Sequence, residues 1–566
     1  MSKRNWIVWA FISCWTAMVH GQDSLLTSVA SAPTSDALYQ DYHFIKQQDA
    51  WLMGSNAAAL TRFQHSNIAI AELSATHQEG ELINYDGSPS VWQSHAGIES
   101  LYRIHPRVVL FGSMNYHSFD GKDMGGSAFL PQTLWKQPSV FPSSIPYHLS
   151  SIVPYGSHRP FDIVEDSTNQ GEKHADIYQL TGGIGWQFYQ QIAAGLRFDY
   201  TAANYAKYKD LRHKNKLMDM LLTAGIYTPV ASWLSVGAHY QYHRNVESVS
   251  FATYGKSDKV YRSLIDYGNF FGLFEQFGSV GYTDKSREMP LFEEGHGGGL
   301  QLELTPLHDW TLFVSMQLSS ADGYYGRKSP YTITFSQHQR DGFESNVRLK
   351  FSRPTSQHYL DVAYQKEQLD NEANTYSEQK NEAGATYYEY YDPVETGKKE
   401  WHRLHLAYTA HLGIQDQLPK WTITTAFQWE QRKQTSYLYP YYRQQTLNCY
   451  GWGAALARNL EIGKGICTLS AEAAFRKGTD SQTDGSFVTG NQFKQQPSTL
   501  TDRERPYYTT QQYLLGSAIQ YAVLLPNTHI KAHIRLSVNY QKAKQTTNYN
   551  NGCNPQEVVA AIGCTF

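Results

Sequence analysis

Between Ile530 and Gln541 apolar and polar residues alternate without a fault. Ile530, Ala532, Ile534, Leu536, Val538 and Tyr540 fall on one side, and Lys531, His533, Arg535, Ser537, Asn539 and Gln541 on the other. A period of two places successive side chains on opposite faces of a strand. The pattern starts near residue 66 and continues to the end. Trp92, Ala96, Ile98, Tyr102 and Ile104 oppose Gln93, His95, Gly97, Glu99 and Arg103, and Ile192, Leu196 and Phe198 oppose Gly195, Arg197 and Asp199. Leu300, Leu302 and Leu304 oppose Gln301 and Glu303; Phe343, Val347, Leu349 and Phe351 oppose Glu344, Asn346, Arg348 and Lys350. Leu404, Leu406 and Tyr408 oppose Arg403 and His405, while Leu469, Ala471 and Phe475 oppose Ser470, Glu472 and Arg476. In the last stretch Val558, Ala560, Ile562, Cys564 and Phe566 share one face.

A soluble sandwich alternates too, over strands of about five or six residues. Many runs here last about ten or more, the length that crosses a bilayer at a tilt. The links carry the distinction. Short ones near Ile104–Val108, Phe188–Ile192, Thr228–Trp233, Thr305–Trp310, Arg353–His358, Leu412–Trp421, Asn459–Gly465 and Leu524–Ile530 alternate with long polar ones. The long ones are Asp120–Ala175, Asn204–Lys216, Asn245–Gly295, Ser320–Arg340, Asp370–Lys398, Lys433–Thr446, Lys477–Tyr507 and Lys542–Pro555. That asymmetry belongs to barrels with tight periplasmic turns and large outer loops. The expected fold is all-β, a single antiparallel transmembrane β-barrel of about 18 strands, in the range of about 14–22.

Composition changes this picture little. Mean hydropathy is −0.51, and beyond the N-terminus no run approaches the ~20 apolar residues of a spanning helix. The 41 Tyr and 13 Trp fit aromatic girdles at the headgroup level. A net charge of −3 leaves no electrostatic footprint for nucleic acid. The start adds an address: Lys3-Arg4, an apolar centre from Trp6 to Ile12, and Val19-His20-Gly21 make a secretory signal peptide cleaved after Gly21. The expected division is residues 1–21 as signal, 22–65 as a periplasmic leader or plug segment, and 66–566 as the barrel. Within the second part, Leu38–Lys46 and Asp49–Met53 suggest a short amphipathic helix, followed by the small residues of Gly54–Leu60. Cys449, Cys467, Cys553 and Cys564 are placed too far apart for disulfides.

Candidate chemistry is confined to the lumen and the loops. Glu99, Arg103, Arg197, Asp199, Glu303, Arg348, Arg403, Glu472 and Arg535 fall on the polar face and are the lumen candidates. Their balanced signs suggest salt bridges across a partly filled interior rather than a single-sign permeation path. Glu293-Glu294-Gly295-His296 lacks the further ligands a metal site needs. No spacing marks a catalytic pair, so neither an enzyme nor a cofactor is expected. The aromatic and glycine-rich stretch within Tyr254–Gly295 supplies the loop-constriction candidates Tyr267, Phe270, Phe271 and Phe274. A packed cap over the barrel is the alternative use of that loop.

The whole mature chain, with its Tyr267-Gly268 loop and terminal Phe566, resembles the uncharacterised bacterial outer-membrane β-barrel families of the Bacteroidota type. Gly54-Ser55-Asn56-Ala57-Ala58-Ala59-Leu60 also looks like the Asn-Pro-Ala-Gly-Leu run near the start of long-chain fatty-acid transporter barrels, with Ala in place of both Pro and Gly. The resemblance implies residence in the cell outer membrane, with outer-membrane lipid, periplasmic chaperones and the barrel assembly machinery as partners. Phe566 would be the insertion signal. The implied function is passage or capture of a small molecule; a non-conducting surface scaffold, or a subunit of an uptake or secretion complex, is the alternative.

Overall fold

The computed structural model describes residues 36–65, 67–80, 87–136, 149, 152–153, 158–165, 169–254, 259–266, 273–277, 289–489, 504–544 and 554–566. The long alternating runs form an 18-stranded sheet. Its staves are β1 Ile68–Glu79, β2 Ser90–His105, β3 Val108–Met124, β4 Gly171–Tyr189, β5 Ile192–Lys207 and β6 Arg212–Ala231. Next come β7 Leu234–Ala252, β8 Met289–Leu307, β9 Trp310–Ser329, β10 Thr332–Arg353, β11 Ser356–Ala373 and β12 Val394–Leu412. The last six are β13 Trp421–Leu438, β14 Tyr441–Ile462, β15 Gly465–Ser486, β16 Gln512–Leu524, β17 Lys531–Ala543 and β18 Gln556–Thr565.

Each stave pairs antiparallel with the next, and β18 returns to β1 in register from Ile70↔Thr565 to Glu79↔Gln556. Ala69 and Phe566 exchange two backbone hydrogen bonds, of 2.7 and 2.9 Å. The sheet is a closed barrel, which leaves no stave with an unpaired edge.

Alternation decides which face is which. Leu196, Ile226, Leu300, Leu318, Ile534 and Ile562 project outward and are exposed. Trp186, Trp310 and Trp421 edge this apolar belt toward the short turns, and Tyr240 and Tyr450 toward the long loops. So large a continuous apolar surface is unfavourable in water and suited to lipid. Among the described residues no helix is long and apolar enough to cross a membrane.

Several expected loops are strands instead. β9 and β10 run on until only Pro330-Tyr331 separates them, where Ser320–Arg340 had the look of a loop. β13 and β14 likewise meet at Tyr439-Pro440, and β8 already begins at Met289 inside the expected loop Tyr254–Gly295. Beyond the belt, outward positions such as Ser320, Asp341 and Glu294 are polar as well, so alternation fades while the backbone ladder continues. At that end Gly126–Ser127, Asp162–Glu165, Tyr261–Asp266 and Leu273–Phe277 form a separate four-stranded sheet. A hairpin of Tyr376–Lys380 and Thr386–Tyr390 stands apart from it.

The N-terminal segment is a chain of short turns: helices α1 Asp36–Tyr39 and α2 Tyr42–Gln47, then 3₁₀ turns Ala50–Met53 and Ala57–Arg62. Three side-chain caps punctuate it. Asp41 accepts from Phe44 N at 2.8 Å, Asp49 from Trp51 N at 3.0 Å and Asn56 from Ala58 N at 3.1 Å. Capped so closely, the segment breaks into separate turns where its sequence suggests one short amphipathic helix.

Candidate functional site

The lumen is occupied from the short-turn end by residues 39–63. The inner wall there is nearly bare, because Gly183, Gly185, Gly195, Gly225 and Gly237 face inward. A Cβ on Gly195 would stand 2.1 Å from Ala58 N, and one on Gly225 2.1 Å from Asn56 Oδ1. The segment's backbone therefore lies directly on the sheet. Ala58 and Ala59 are fully buried, and Trp51 packs edge-on to Tyr227 and Phe313 at 4.9 and 5.2 Å. Asn56 donates to Gln301 Oε1 at 2.8 Å and to Ile226 O at 3.0 Å.

Wall cations hold this segment by its carbonyl groups. Arg348 donates to Gln47 O at 3.0 Å, Lys350 to Gln48 O at 2.8 Å and Arg197 to Gly54 O at 3.2 Å. Arg103 donates to Thr61 O at 3.0 Å and also to Phe63 O, and Lys531 donates to Gln40 O. Charge pairs complete the hold. Lys46 and Tyr42 both donate to Glu99 at 2.5 Å, while Arg62 lies 2.7 Å from Asp49 and 2.9 Å from Glu303. A cavity of about 190 Å³ remains beside them, lined by Gln48, Asp49, Arg62, Glu303, Arg348 and Lys350.

The remaining lumen candidates pair locally. Arg197 pairs with Asp199 two residues along its own strand at 2.8 Å, and Arg348 with Asp361 on the adjacent strand at 2.6 Å. Arg403 pairs with Glu430 (Nε to Oε2, 2.7 Å), and Arg535 reaches Glu72 across β18 at 2.8 Å. These pairs therefore do not cross the lumen. The expected cross-lumen bridges are replaced by contacts along the wall and to the N-terminal segment, which stands between the facing walls. Glu472 lines a second cavity of about 80 Å³ with Gly516, Asn539 and Glu557. Glu293 faces inward to Arg340 at 2.9 Å, whereas Glu294 and His296 face outward to Tyr242 and Tyr240. The strand splits that run between two faces, and among the described residues no group of three metal-ligating side chains forms.

From the other end the long loop after β3 descends into the barrel. Phe161 stacks on Tyr325 with centroids 3.6 Å apart, in a core with Phe129, Ile163, Val249, Phe251 and Leu291. Glu165 meets Lys173 at 3.0 Å and also Lys207, all three fully buried. Burial pushes the Glu165 carboxyl up, but the two ammonium groups outweigh it and hold the group below its ordinary value. His158 stacks on Trp401 at 4.2 Å and meets Glu367 at 3.0 Å. Burial lowers its pKa and outweighs the pull of Glu367 in the other direction. Deeper still, Leu149 and Ile152 pack against Ala407, Ala426 and Ala474. Tyr267, Phe270 and Phe271 lie outside the described residues, and of Phe274 only the backbone, in the strand Leu273–Phe277, is described.

Sequence alternation located the lumen face but missed the contact partners. Lys531, His158 and the glycine strip have no local signal for what they touch, since their partners lie far away in sequence.

Residues 154–566 match the model of the Family of unknown function (DUF6850). The chain belongs to that family. A comparison with curated proteins gives no match. Among solved structures, this DUF6850 chain is similar to the ferric preacinetobactin receptor BauA of Acinetobacter baumannii, at 9% identity over 88% of this chain and 80% of that one, with a TM-score of 0.33. It is similar to the outer membrane transporter YddB of Escherichia coli at 7% identity, over 89% and 81% of the two chains, with a TM-score of 0.39. The RagAB peptide transporter gives 6% identity, 88% and 86% coverage and a TM-score of 0.38. At these identities the likeness extends to the fold and no further.

Proposed function

We propose that this chain is a non-enzymatic outer-membrane barrel of the Bacteroidota type that captures or passes a small polar molecule. Residues 1–21 are its cleaved signal, the segment within 22–65 its periplasmic plug, and 66–566 the barrel. The observation that carries this is a polar lumen entered from both ends by the chain's own segments while the outer wall is apolar. The short-turn end is then periplasmic, and outer-membrane lipid, periplasmic chaperones and the barrel assembly machinery are the partners such a chain requires.

Planar-bilayer conductance tests it. The full chain should be nearly silent, and a variant that loosens both segments, Asn56→Asp/Arg62→Ala at the N-terminal one and Arg340→Ala/Gln428→Ala at the descending loop, should conduct. Such a variant in which protease freely cuts both segments yet no current flows would rule out passage. The alternative, a non-conducting surface scaffold or a subunit of an uptake or secretion complex, draws support from the tyrosine-rich hairpin at the long-loop end, where Tyr376, Tyr390 and Tyr391 stay exposed.

A further inference from the structure

Beyond the belt, toward the long loops, the outward face changes its charge part-way round the barrel. On β4 and on β8 to β12 it carries carboxylates: Asp176, Glu294, Asp322, Asp341, Asp370 and Glu400. Their compensating role ends at β13, where Lys433 stands opposite Glu400. From β14 to β18 the carboxylates beyond the short turns all face inward. Asp484 meets Arg443 at 2.8 Å, Asp480 meets Arg505 at 2.7 Å, and Glu472 and Glu557 line the cavity of about 80 Å³. Among the described residues these five staves have no outward carboxylate beyond the belt.

Three lysines stand on that face. Lys477 of β15 shares a register row with Tyr450 of β14, at the aromatic edge of the belt, and Lys542 of β17 shares one with Tyr513 of β16. One residue past the end of β17, Lys544 N donates to Gln511 O at 2.8 Å, which keeps Lys544 on the same face as Lys542. All three are exposed, and among the described residues their ammonium groups have no ion pair or hydrogen bond. Between them lie Gln511 and Tyr513, joined by a hydrogen bond from the amide to the phenol oxygen. Sheet spacings put Lys477 about 10 Å from Lys544 and about 12 Å from Lys542, with the last two about 7 Å apart. Residues 545–555, which follow in the chain, contain no Asp or Glu. Below the lysines the exposed wall is aromatic at Trp452, Tyr450 and Tyr513, then aliphatic at Leu515, Ile519 and Leu536.

We propose that this face docks a membrane lipid with a net-anionic phosphate headgroup. The phosphate lies among Lys477, Lys542 and Lys544, and the acyl chains run down the apolar wall below. The proposal rests on the reading that this wall faces lipid, and it adds the headgroup class and the sector that holds it. An ammonium group is a compact charge on a flexible stem, so three of them converge on a phosphate without demanding one orientation. Tyr513 accepts from Gln511 and keeps its own proton to donate to a phosphate oxygen. A zwitterionic headgroup brings a cation of its own, which meets three ammonium groups and no carboxylate. An inorganic anion lacks the chains that would cover the wall beneath. Charge complementarity and the continuous apolar face therefore select the same occupant.

Native mass spectrometry of the full chain, titrated with lipid in a neutral detergent, reads the occupancy. Phosphatidylglycerol should bind at least about tenfold more tightly than phosphatidylcholine, and added salt should narrow the gap. Lys477→Gln/Lys542→Gln/Lys544→Gln should bring the two lipids within about twofold of each other. Lys122→Gln/Lys214→Gln/Lys398→Gln removes the same charge from exposed positions on β3, β6 and β12 and should keep the preference. Equal affinity for the two lipids, unchanged binding in the first variant or an equal loss in the second overturns the site. So does displacement of the lipid by inorganic phosphate alone, or a dimer of the chain, lost in the first variant, in place of bound lipid. Insertion into phosphatidylcholine vesicles is read separately by heat-modifiable migration. A chain that inserts but shows no lipid preference loses only the site, whereas a chain that does not insert loses the membrane reading as well.

Discussion

Gly195 and Gly225 have room for hydrogen alone. Each would place a Cβ about one atom's width inside Asn56 or Ala58, and the neighbour in both cases is the N-terminal segment rather than the barrel. Gly195→Ala should therefore displace residues 56–60 while the staves stay paired, at the ~1–3 kcal/mol typical of overpacking. Faster proteolysis between residues 50 and 62, with the folded band on an unheated gel unchanged, is the expected result. Asn56→Asp separates two roles of one side chain. The carboxylate still caps Ala58 N but no longer donates to Gln301 or Ile226. Leaving such groups unsatisfied costs about 1–3 kcal/mol, so Asn56→Asp should open the plug by roughly tenfold or more in the same assay. An aspartate variant as closed as wild type would refute that division. The small size of these residues was legible in the sequence. What lay against them was not, because Gly195 and Ala58 are brought together only by a barrel wall between them.

At the scale of elements, the staves were legible where one face met the belt and illegible above it. Ser320–Arg340 reads as a loop because its outward positions Ser320, Asp322, Gln339 and Asp341 are polar above the belt, although the backbone there continues as two paired strands. The descending loop is harder still, being irregular and held by scattered wall residues such as Arg340 and Gln428, which accept or donate to its backbone. Its docking should depend on pH. His158 titrates below its ordinary 6.5 when docked, so docking favours the neutral ring. That contribution is complete above about pH 6.5 and is lost as the pH falls through this value toward the depressed one. Glu165 is also held below its ordinary 4.5, and its contribution is lost only at lower pH. Cleavage within residues 128–165 should accelerate by up to about tenfold between pH 7.5 and pH 5.5. His158→Gln should remove this first step and leave the more acidic one. A flat profile in the wild type would contradict the assignment of His158.

For the whole molecule, closure rests on the seam between β1 and β18. Phe566 contributes both the donor and the acceptor of the final backbone pair with Ala69. Deleting it should lower the outer-membrane yield several-fold without changing the protease resistance of residues 50–62 in the fraction that assembles. Heat-modifiable migration gives the amount folded, and normal yield would argue against a sealing role. The barrel as a whole was the most legible feature, since 18 amphipathic runs repeat one signal. Its contents were the least legible, since Arg348 meets Gln47 across 301 positions of sequence and Lys531 meets Gln40 across 491.

Those separations have a consequence for assembly. The wall contacts of residues 39–63 are spread over β2, β5, β6, β8, β10 and β17, so a half-built sheet offers only part of their seat. The segment made first is the one whose contact set is completed late, when β17, the last stave but one, is in place. A chain stalled before β17 should hold its N-terminal segment by fewer contacts and lose it sooner to an added protease.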